Sequence, residues 1–101
     1  MKKEITLQIG QIVKILRGRD ADQYAVIVSI EDSKFVYIAD GNKRKFDQAK
    51  KKNLVHLEPQ PFISSEVVNS LQESGRVTNG KLRFAVSQFL SDESNADQKG
   101  E

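Results

Sequence analysis

Between residues 8 and 58, short apolar runs alternate with turn-forming residues, and this spacing limits the fold more than any other feature of the chain. β-Branched and aromatic residues are concentrated in residues 11–17, 24–30 and 35–39, and such runs favour strands. The segments between them are too short to contain the helix that parallel neighbours would need. We therefore predict a small antiparallel barrel or curled sheet in residues 8–58.

Two further strands are expected to complete this sheet. Asp40-Gly41 is a dipeptide favoured in tight hairpins, so residues 43–46 should return as the next strand. A last short strand is predicted at residues 53–57. Pro59 and Pro61 should then end sheet pairing, because proline has no amide hydrogen to donate.

After residue 58 the apolar period becomes helical. A first helix is indicated by Ile63, Val67 and Leu71, with Ser64 or Ser65 as its cap and Gly75 as its stop. A second is indicated by the stripe Leu82, Val86, Phe89 and Leu90, with Thr78 or Asn79 as its cap. Residues 91–101 lack apolar spacing and carry a net charge of −3, which predicts a disordered acidic tail. The predicted division is a barrel in residues 1–58, a helical extension in 59–90 and the tail in 91–101.

Composition excludes several functional classes. The chain has 101 residues, no Cys and a single His, His56, so it cannot form a disulfide framework, a thiolate nucleophile, a Cys-based zinc site or a multi-His metal site. We expect no cofactor and an intracellular, cytoplasmic location. The longest apolar runs have five residues, far fewer than a membrane-spanning helix needs. Polar residues also interrupt any signal-like core at the amino terminus.

The net charge of +2 conceals an uneven distribution along the chain. Residues 1–58 carry +4 and residues 59–101 carry −2. Within residues 41–56, six basic side chains face only Asp47, which gives +5 in sixteen residues. Such a patch suits a polyanion. The alternative interpretation is a solvated loop with solubilising lysines.

The first two predicted strands resemble the KOW motif. The residues that carry the resemblance are Ile9-Gly10, Val13-Lys14-Ile15, Arg17-Gly18-Arg19-Asp20 and Tyr24-Ala25-Val26-Ile27-Val28. KOW domains are SH3-like β-barrels of ribosomal proteins and transcription elongation factors, in which the motif loop and the barrel rim commonly meet RNA. Residues 8–58 as a whole look like the short bacterial KOW-domain RNA-binding proteins related to archaeal and eukaryotic large-subunit ribosomal proteins. The segment from Thr78 to Ala85 resembles their carboxyl-terminal part.

One residue departs from the family pattern. Asp22 occupies a loop position where KOW sequences usually have Gly, and where the backbone often needs a positive φ that Asp tolerates better than most residues. Asp20 and Asp22 also place negative charge beside Arg17 and Arg19. The stronger electrostatic site is therefore expected in residues 43–52.

The resemblance and the charge pattern together predict an SH3-like KOW barrel, mainly β, followed by two short helices. We expect a non-enzymatic protein, monomeric when free, that binds RNA, ribosomal RNA or the ribosome in particular. The candidate RNA-binding residues are Arg17, Arg19, Lys43, Arg44, Lys45, Lys50, Lys51 and Lys52. Because Tyr24, Phe35, Tyr37 and Phe46 alternate with core residues, they are expected to pack inside, and recognition should follow RNA shape.

Two other hypotheses remain open at the level of sequence. The barrel and helices could form a protein-interaction module that contacts transcription or translation machinery without RNA. In a regulatory variant of the RNA hypothesis, the acidic tail folds back on the lysines. An enzyme that pairs Ser29 or Ser33 with His56 is the least favoured, since the chain has no nucleophile elbow and no phosphate-binding glycine loop.

Overall fold

The described part of the chain has a mainly β fold, with five strands followed by two helices. The computed structural model describes residues 7–99, and their side chains through residue 92. The strands are β1 (Gln11–Ile15), β2 (Tyr24–Ile30), β3 (Phe35–Ala39), β4 (Lys50–Asn53) and β5 (Leu57–Ile63), and the helices are α1 (Ser65–Ser74) and α2 (Asn79–Lys99). Two 3-10 turns lie at Phe46–Gln48 and Leu54–His56. Residues 1–6 and 100–101, which begin the predicted barrel and end the predicted tail, lie outside the described residues.

The five strands form one antiparallel sheet in the order β4-β3-β2-β1-β5. In a flat sheet the edge strands β4 and β5 would lie roughly 19 Å apart, at about 4.8 Å per strand. The turn Leu54–His56 joins them directly, although a 3-10 turn advances only about 2 Å per residue. The Leu54 amide donates to the Lys34 carbonyl, and the His56 carbonyl accepts from the Leu16 amide, each at 2.9 Å. The sheet must therefore curl until its edges approach, as predicted.

The core has two layers, one inside the curled sheet and one between the sheet and the helices. Because side chains alternate along a strand, β1 and β2 contribute to both. The inner layer consists of Val13, Ile15, Ala25, Ile27, Val36, Ile38 and Leu57. The outer layer consists of Ile12, Val26, Val28, Ala39, Val67, Val77, Leu82, Ala85 and Phe89. The helices thus share one hydrophobic cluster with the outer face of the sheet.

Aromatic side chains pack mainly into this outer layer. Tyr24, Tyr37 and Phe46 are partly buried against it, and the Tyr24 and Phe89 ring centroids lie 5.3 Å apart. Phe35 is half-buried beneath the Lys51 ammonium, 4.7 Å from its ring centroid. The expectation that the barrel aromatics serve packing is confirmed for the first three.

The predicted starts of both helices and the predicted end of the first are confirmed by their capping contacts. The Ser64 hydroxyl accepts from the Val67 amide (3.3 Å) at the start of α1, and Gly75 ends this helix in the left-handed conformation, with φ of 77°. The Thr78 hydroxyl accepts from the Lys81 amide (3.2 Å) at the start of α2. Among the described residues, no helix combines the length and hydrophobicity needed to cross a membrane.

The strand expected at residues 43–46 is absent, and that prediction is wrong. The Asp40 carboxylate accepts from the Asn42 and Arg44 amides, each at 2.8 Å, while the Arg44 carbonyl accepts from the amides of Asp40 and Gly41. These hydrogen bonds close residues 40–44 into a compact loop, so residues 43–46 do not pair with β3. The strand that pairs with β3 is instead Lys50–Asn53.

The predicted end of the sheet at the prolines is also wrong. The strand expected at residues 53–57 is mostly the turn Leu54–His56, and β5 runs through both Pro59 and Pro61 to Ile63. Pro59 lies opposite Val13 in the ladder with β1. Because β5 is an edge strand, a residue without an amide hydrogen is tolerated on its unpaired side.

The second helix extends further than predicted. It continues through Lys99 and so includes residues 91–99, which we expected to be disordered. No Gly or Pro interrupts the chain between Lys81 and Lys99, and helix formers such as Ala and Glu lie within the segment. The two residue types that disfavour a helix most are thus missing from this stretch, which lets the helix continue through Lys99.

Candidate nucleic-acid interface

Two loops converge at one end of the sheet and form a positively charged groove of about 470 Å³. One loop joins β1 to β2 (residues 16–23), and the other joins β3 to β4 (residues 40–49). The groove, named here the basic groove, is lined by Gly18, Arg19, Asp20, Lys43, Arg44, Lys50 and Lys52. Five cationic side chains thus face a single carboxylate, which gives the lining a charge of +4.

The structure divides the three consecutive lysines of β4 between two faces. Lys50, Lys51 and Lys52 lie opposite Ile38, Tyr37 and Val36 of β3, and successive side chains of a strand point in opposite directions. Lys50 and Lys52 line the basic groove. Lys51 is on the other face and does not line it.

Lys51 belongs to a separate cluster, named here the Glu31 cluster. Its ammonium lies 3.0 Å from the Glu31 carboxylate and over the Phe35 ring. The Tyr37 hydroxyl donates a second hydrogen bond to Glu31, at 2.9 Å. Hydrogen bonding to Lys51 and then to Tyr37 lowers the pKa of the Glu31 carboxyl below its ordinary value of 4.5, and the bond to Glu31 raises the pKa values of Lys51 and Tyr37.

The Glu31 cluster should make stability depend on pH in acid. Because the pKa of Glu31 is lower in the folded protein, its contribution to stability is present above pH 4.5 and is lost as the pH falls through the folded-state value. We expect Glu31→Gln to lose less stability than the wild type over this window, in urea unfolding followed at several pH values. Part of the pH dependence of stability should remain in this variant, because hydrogen bonds from the Lys34 and Phe35 amides also lower the pKa of Asp32. The difference should be small because the cluster is exposed.

Lys51→Gln is the companion variant, since it removes the main cause of the shift. Like Glu31→Gln, it should reduce the loss of the free energy of unfolding as the pH falls below 4.5. Equal pH slopes for the wild type and both variants would contradict a stabilising role of the cluster.

The remaining candidate residues lie on the same loops but outside the groove lining. Arg17 is exposed in the β1–β2 loop, and Lys45 is exposed in the β3–β4 loop. Of the eight predicted residues, the structure therefore brings five together. The alternation of side chains along a strand could have shown that Lys51 points away from Lys50 and Lys52. Applying it would have required a prediction that these lysines form a strand.

Asp22 has the backbone conformation expected from its departure from the KOW pattern. Its φ is +73°, its amide donates to the Ile15 carbonyl at 2.7 Å, and its carboxylate lies 3.9 Å from the Lys14 ammonium. Asp22 does not line the basic groove, whereas Asp20 does. The barrel thus accommodates Asp at this position and keeps its charge outside the groove.

The β3–β4 loop is fastened to the helical segment by contacts that sequence analysis did not anticipate. The Phe46 amide donates to the Asn79 side-chain oxygen at 2.8 Å, and the Arg83 guanidinium donates to the Gly41 carbonyl at 2.8 Å. Arg76 pairs with Asp47 at 2.9 Å and lies over the Phe46 ring. These partners lie about thirty or forty residues apart in the chain, so no local pattern indicates them.

A curled five-stranded sheet whose first two strands are joined by a loop containing Gly18 and two arginines fits a KOW-type protein, and comparison with known proteins supports this class. The KOW motif family model matches residues 9–38. A Bacillus subtilis (strain 168) protein named "Putative ribosome-binding protein YbzG" is 42% identical over 71 residues, which cover 70% of this chain and 96% of the relative. The large ribosomal subunit protein eL14 of Sulfolobus acidocaldarius is 30% identical over 77 residues, which cover 68% of this chain and 80% of the relative. The chain belongs to the KOW family.

Proposed function

We propose that this protein is a non-enzymatic RNA-binding protein that associates with the ribosome in the cytoplasm and holds RNA in the basic groove. The observation that carries the proposal is the convergence of five cations from two loops and β4 around one carboxylate. The relatives support it, since one is named as ribosome-binding and the other as a large-subunit ribosomal protein.

The groove would bind RNA chiefly through its phosphates. Arg19 and Arg44 have planar guanidinium groups that can form two parallel hydrogen bonds to one phosphate, whereas the lysines act as compact point charges. Contacts of this kind displace condensed counterions and fix the position of the RNA without reading its sequence. Since Tyr24, Tyr37 and Phe46 pack against the core, base stacking has few candidates in the barrel, and recognition of RNA shape is favoured.

Salt dependence tests the proposal directly. If each of the five groove cations meets one phosphate, log affinity should fall with log salt at a slope of about −3.5 to −4.5, from roughly 0.7 to 0.9 per contact. The measurement is fluorescence anisotropy with a structured fragment of ribosomal RNA, titrated at several salt concentrations. Absence of binding, or binding with a slope near zero, would contradict the proposal.

An exposed apolar surface on the helical side supports a second candidate function, contact with a protein of the translation or transcription machinery. Phe84 is 52% exposed and Ile63 is 43% exposed, and both border a depression of about 360 Å³ whose lining also includes Phe62, Ser64, Ser65, Glu66 and Gln88. Co-sedimentation with ribosomes at about 1 M salt, where the Debye length is roughly 3 Å, separates the two candidates. Association that survives this salt would favour the protein contact.

A further inference from the structure

Resting on the proposed function, we infer that the start of α2 positions the basic groove, with Asn79 and Arg83 as positioning residues that hold the β3–β4 loop in its RNA-binding geometry. Neither residue lines the groove. Each acts through the loop, which supplies Lys43 and Arg44. The helical segment is thereby a working part of the nucleic-acid interface.

The loop has internal support at its beginning and needs external support further on. The Asp40 carboxylate holds the turn through Arg44. Beyond it, the chain forms only the three-residue turn Phe46–Gln48 before β4 begins. Lys45 precedes this turn, and its side chain forms no capping hydrogen bond with it. The Phe46 amide donates instead to the side-chain oxygen of Asn79.

Asn79 is free to serve the loop because its neighbour caps the helix. The Thr78 hydroxyl accepts from the Lys81 amide, and the Thr78 carbonyl accepts from the Lys81 and Leu82 amides. The side-chain oxygen of Asn79 is thus available for the Phe46 amide, at 2.8 Å. Two adjacent polar residues therefore divide the tasks of capping the helix and holding the loop.

Arg83 adds a second attachment on the same face of the helix. Residues 79 and 83 are four positions apart and so lie one turn above each other. Arg83 donates to the Gly41 carbonyl at the first part of the loop, while Asn79 accepts from Phe46 at the last part. The two contacts span the segment that contains Lys43 and Arg44.

Attachment of the loop matters because the groove concentrates like charges. Lys43 and Arg44 are held near Arg19, Lys50 and Lys52, and mutual repulsion favours an arrangement in which the loop moves away. Fixing the loop before RNA arrives avoids part of the ordering cost of binding. Because such coupling is reciprocal, bound RNA should in turn protect the first turns of α2 from opening.

The test compares Asn79→Ala with Asn79→Asp, because a carboxylate can still accept from the Phe46 amide. We expect Asn79→Ala to weaken binding of the structured ribosomal RNA fragment about three- to tenfold. Its salt slope should remain that of the wild type, because all five groove cations are retained. Asn79→Asp should bind within about threefold of the wild type. Hydrogen exchange at the Phe46 amide should accelerate in Asn79→Ala and remain slow in Asn79→Asp.

Arg83→Ala provides an independent test that does not depend on how well Asn79→Ala folds, and Lys81→Ala is its matched control. Both substitutions remove one exposed cation from the first turns of α2, and neither side chain lines the groove, but the Arg83 guanidinium donates to the Gly41 carbonyl of the loop. Arg83→Ala should weaken binding three- to tenfold, and Lys81→Ala less than twofold. If the wild type binds RNA and the variants Asn79→Ala and Arg83→Ala bind equally well, the inference is overturned while the proposed function stands. If the wild type does not bind, the proposed function fails, and Phe46 exchange still reports on the attachment.

Discussion

Replacing Lys50 and Lys52 together with Gln is expected to weaken RNA binding about 15- to 30-fold at physiological salt. Both side chains line the basic groove, and each lost phosphate contact removes roughly 0.7 to 0.9 from the salt slope. The slope of the double variant should therefore be shallower than that of the wild type by about 1.4 to 1.8. Anisotropy titrations over a range of salt concentrations give both quantities in one experiment.

The matched control is Lys34→Gln with Lys51→Gln. It removes the same two charges, but Lys34 lies outside the groove and Lys51 belongs to the Glu31 cluster. Affinity should fall less than threefold, and the slope should stay near that of the wild type. If the two double variants lose affinity equally, net charge and not the basic groove governs binding.

The division of the β4 lysines shows where sequence reasoning reached its limit. The bounds of β2 and β3 agree with prediction because both segments are rich in β-branched and aromatic residues, which fit the pleated, half-buried surface of a sheet. Lys50–Asn53 has no such preference, and it becomes a strand through pairing with β3. Since the strand was not recognised, its two-residue period could not separate Lys51 from Lys50 and Lys52.

The prolines of β5 illustrate a second limit. Pro59 and Pro61 are poor strand residues in the interior of a sheet, and the prediction that pairing ends there follows from that chemistry. Whether a strand lies at the edge depends on the order of all five strands, which puts β5 beside β1 alone. Local sequence carries no information about that order.

The attachment of the β3–β4 loop to α2 was also beyond sequence analysis. Asp40-Gly41 indicated a turn, and Gly41 does have a positive φ, of +80°. The pattern could not show that α2 lies directly against this glycine. Nor could it show that Asn79, a candidate cap, leaves capping to Thr78 and accepts from Phe46 instead.

Gly41→Ala should be strongly destabilising because two separate constraints act at this position. A left-handed conformation costs a non-glycine residue about 1 to 2 kcal/mol. An added Cβ would also lie 2.2 Å from the Asn79 carbonyl oxygen and 3.0 Å from the Leu82 Cβ. A backbone oxygen in the first turn of a helix cannot move aside as the end of a flexible side chain can, so the overpacking should cost a further 1 to 3 kcal/mol, roughly.

Gly75→Ala separates the two constraints, since Gly75 has nearly the same φ, +77°, but no atom within 4 Å of the added Cβ. We expect urea unfolding to show a loss of about 1 to 2 kcal/mol for Gly75→Ala and about 2 to 5 kcal/mol for Gly41→Ala. Gly41→Ala should also weaken RNA binding at concentrations where it is still folded, because relief of the contact moves the loop away from α2. If the two substitutions are equally destabilising, the β3–β4 loop can separate from α2 at negligible cost. That result would contradict the close packing on which the positioning of Lys43 and Arg44 depends.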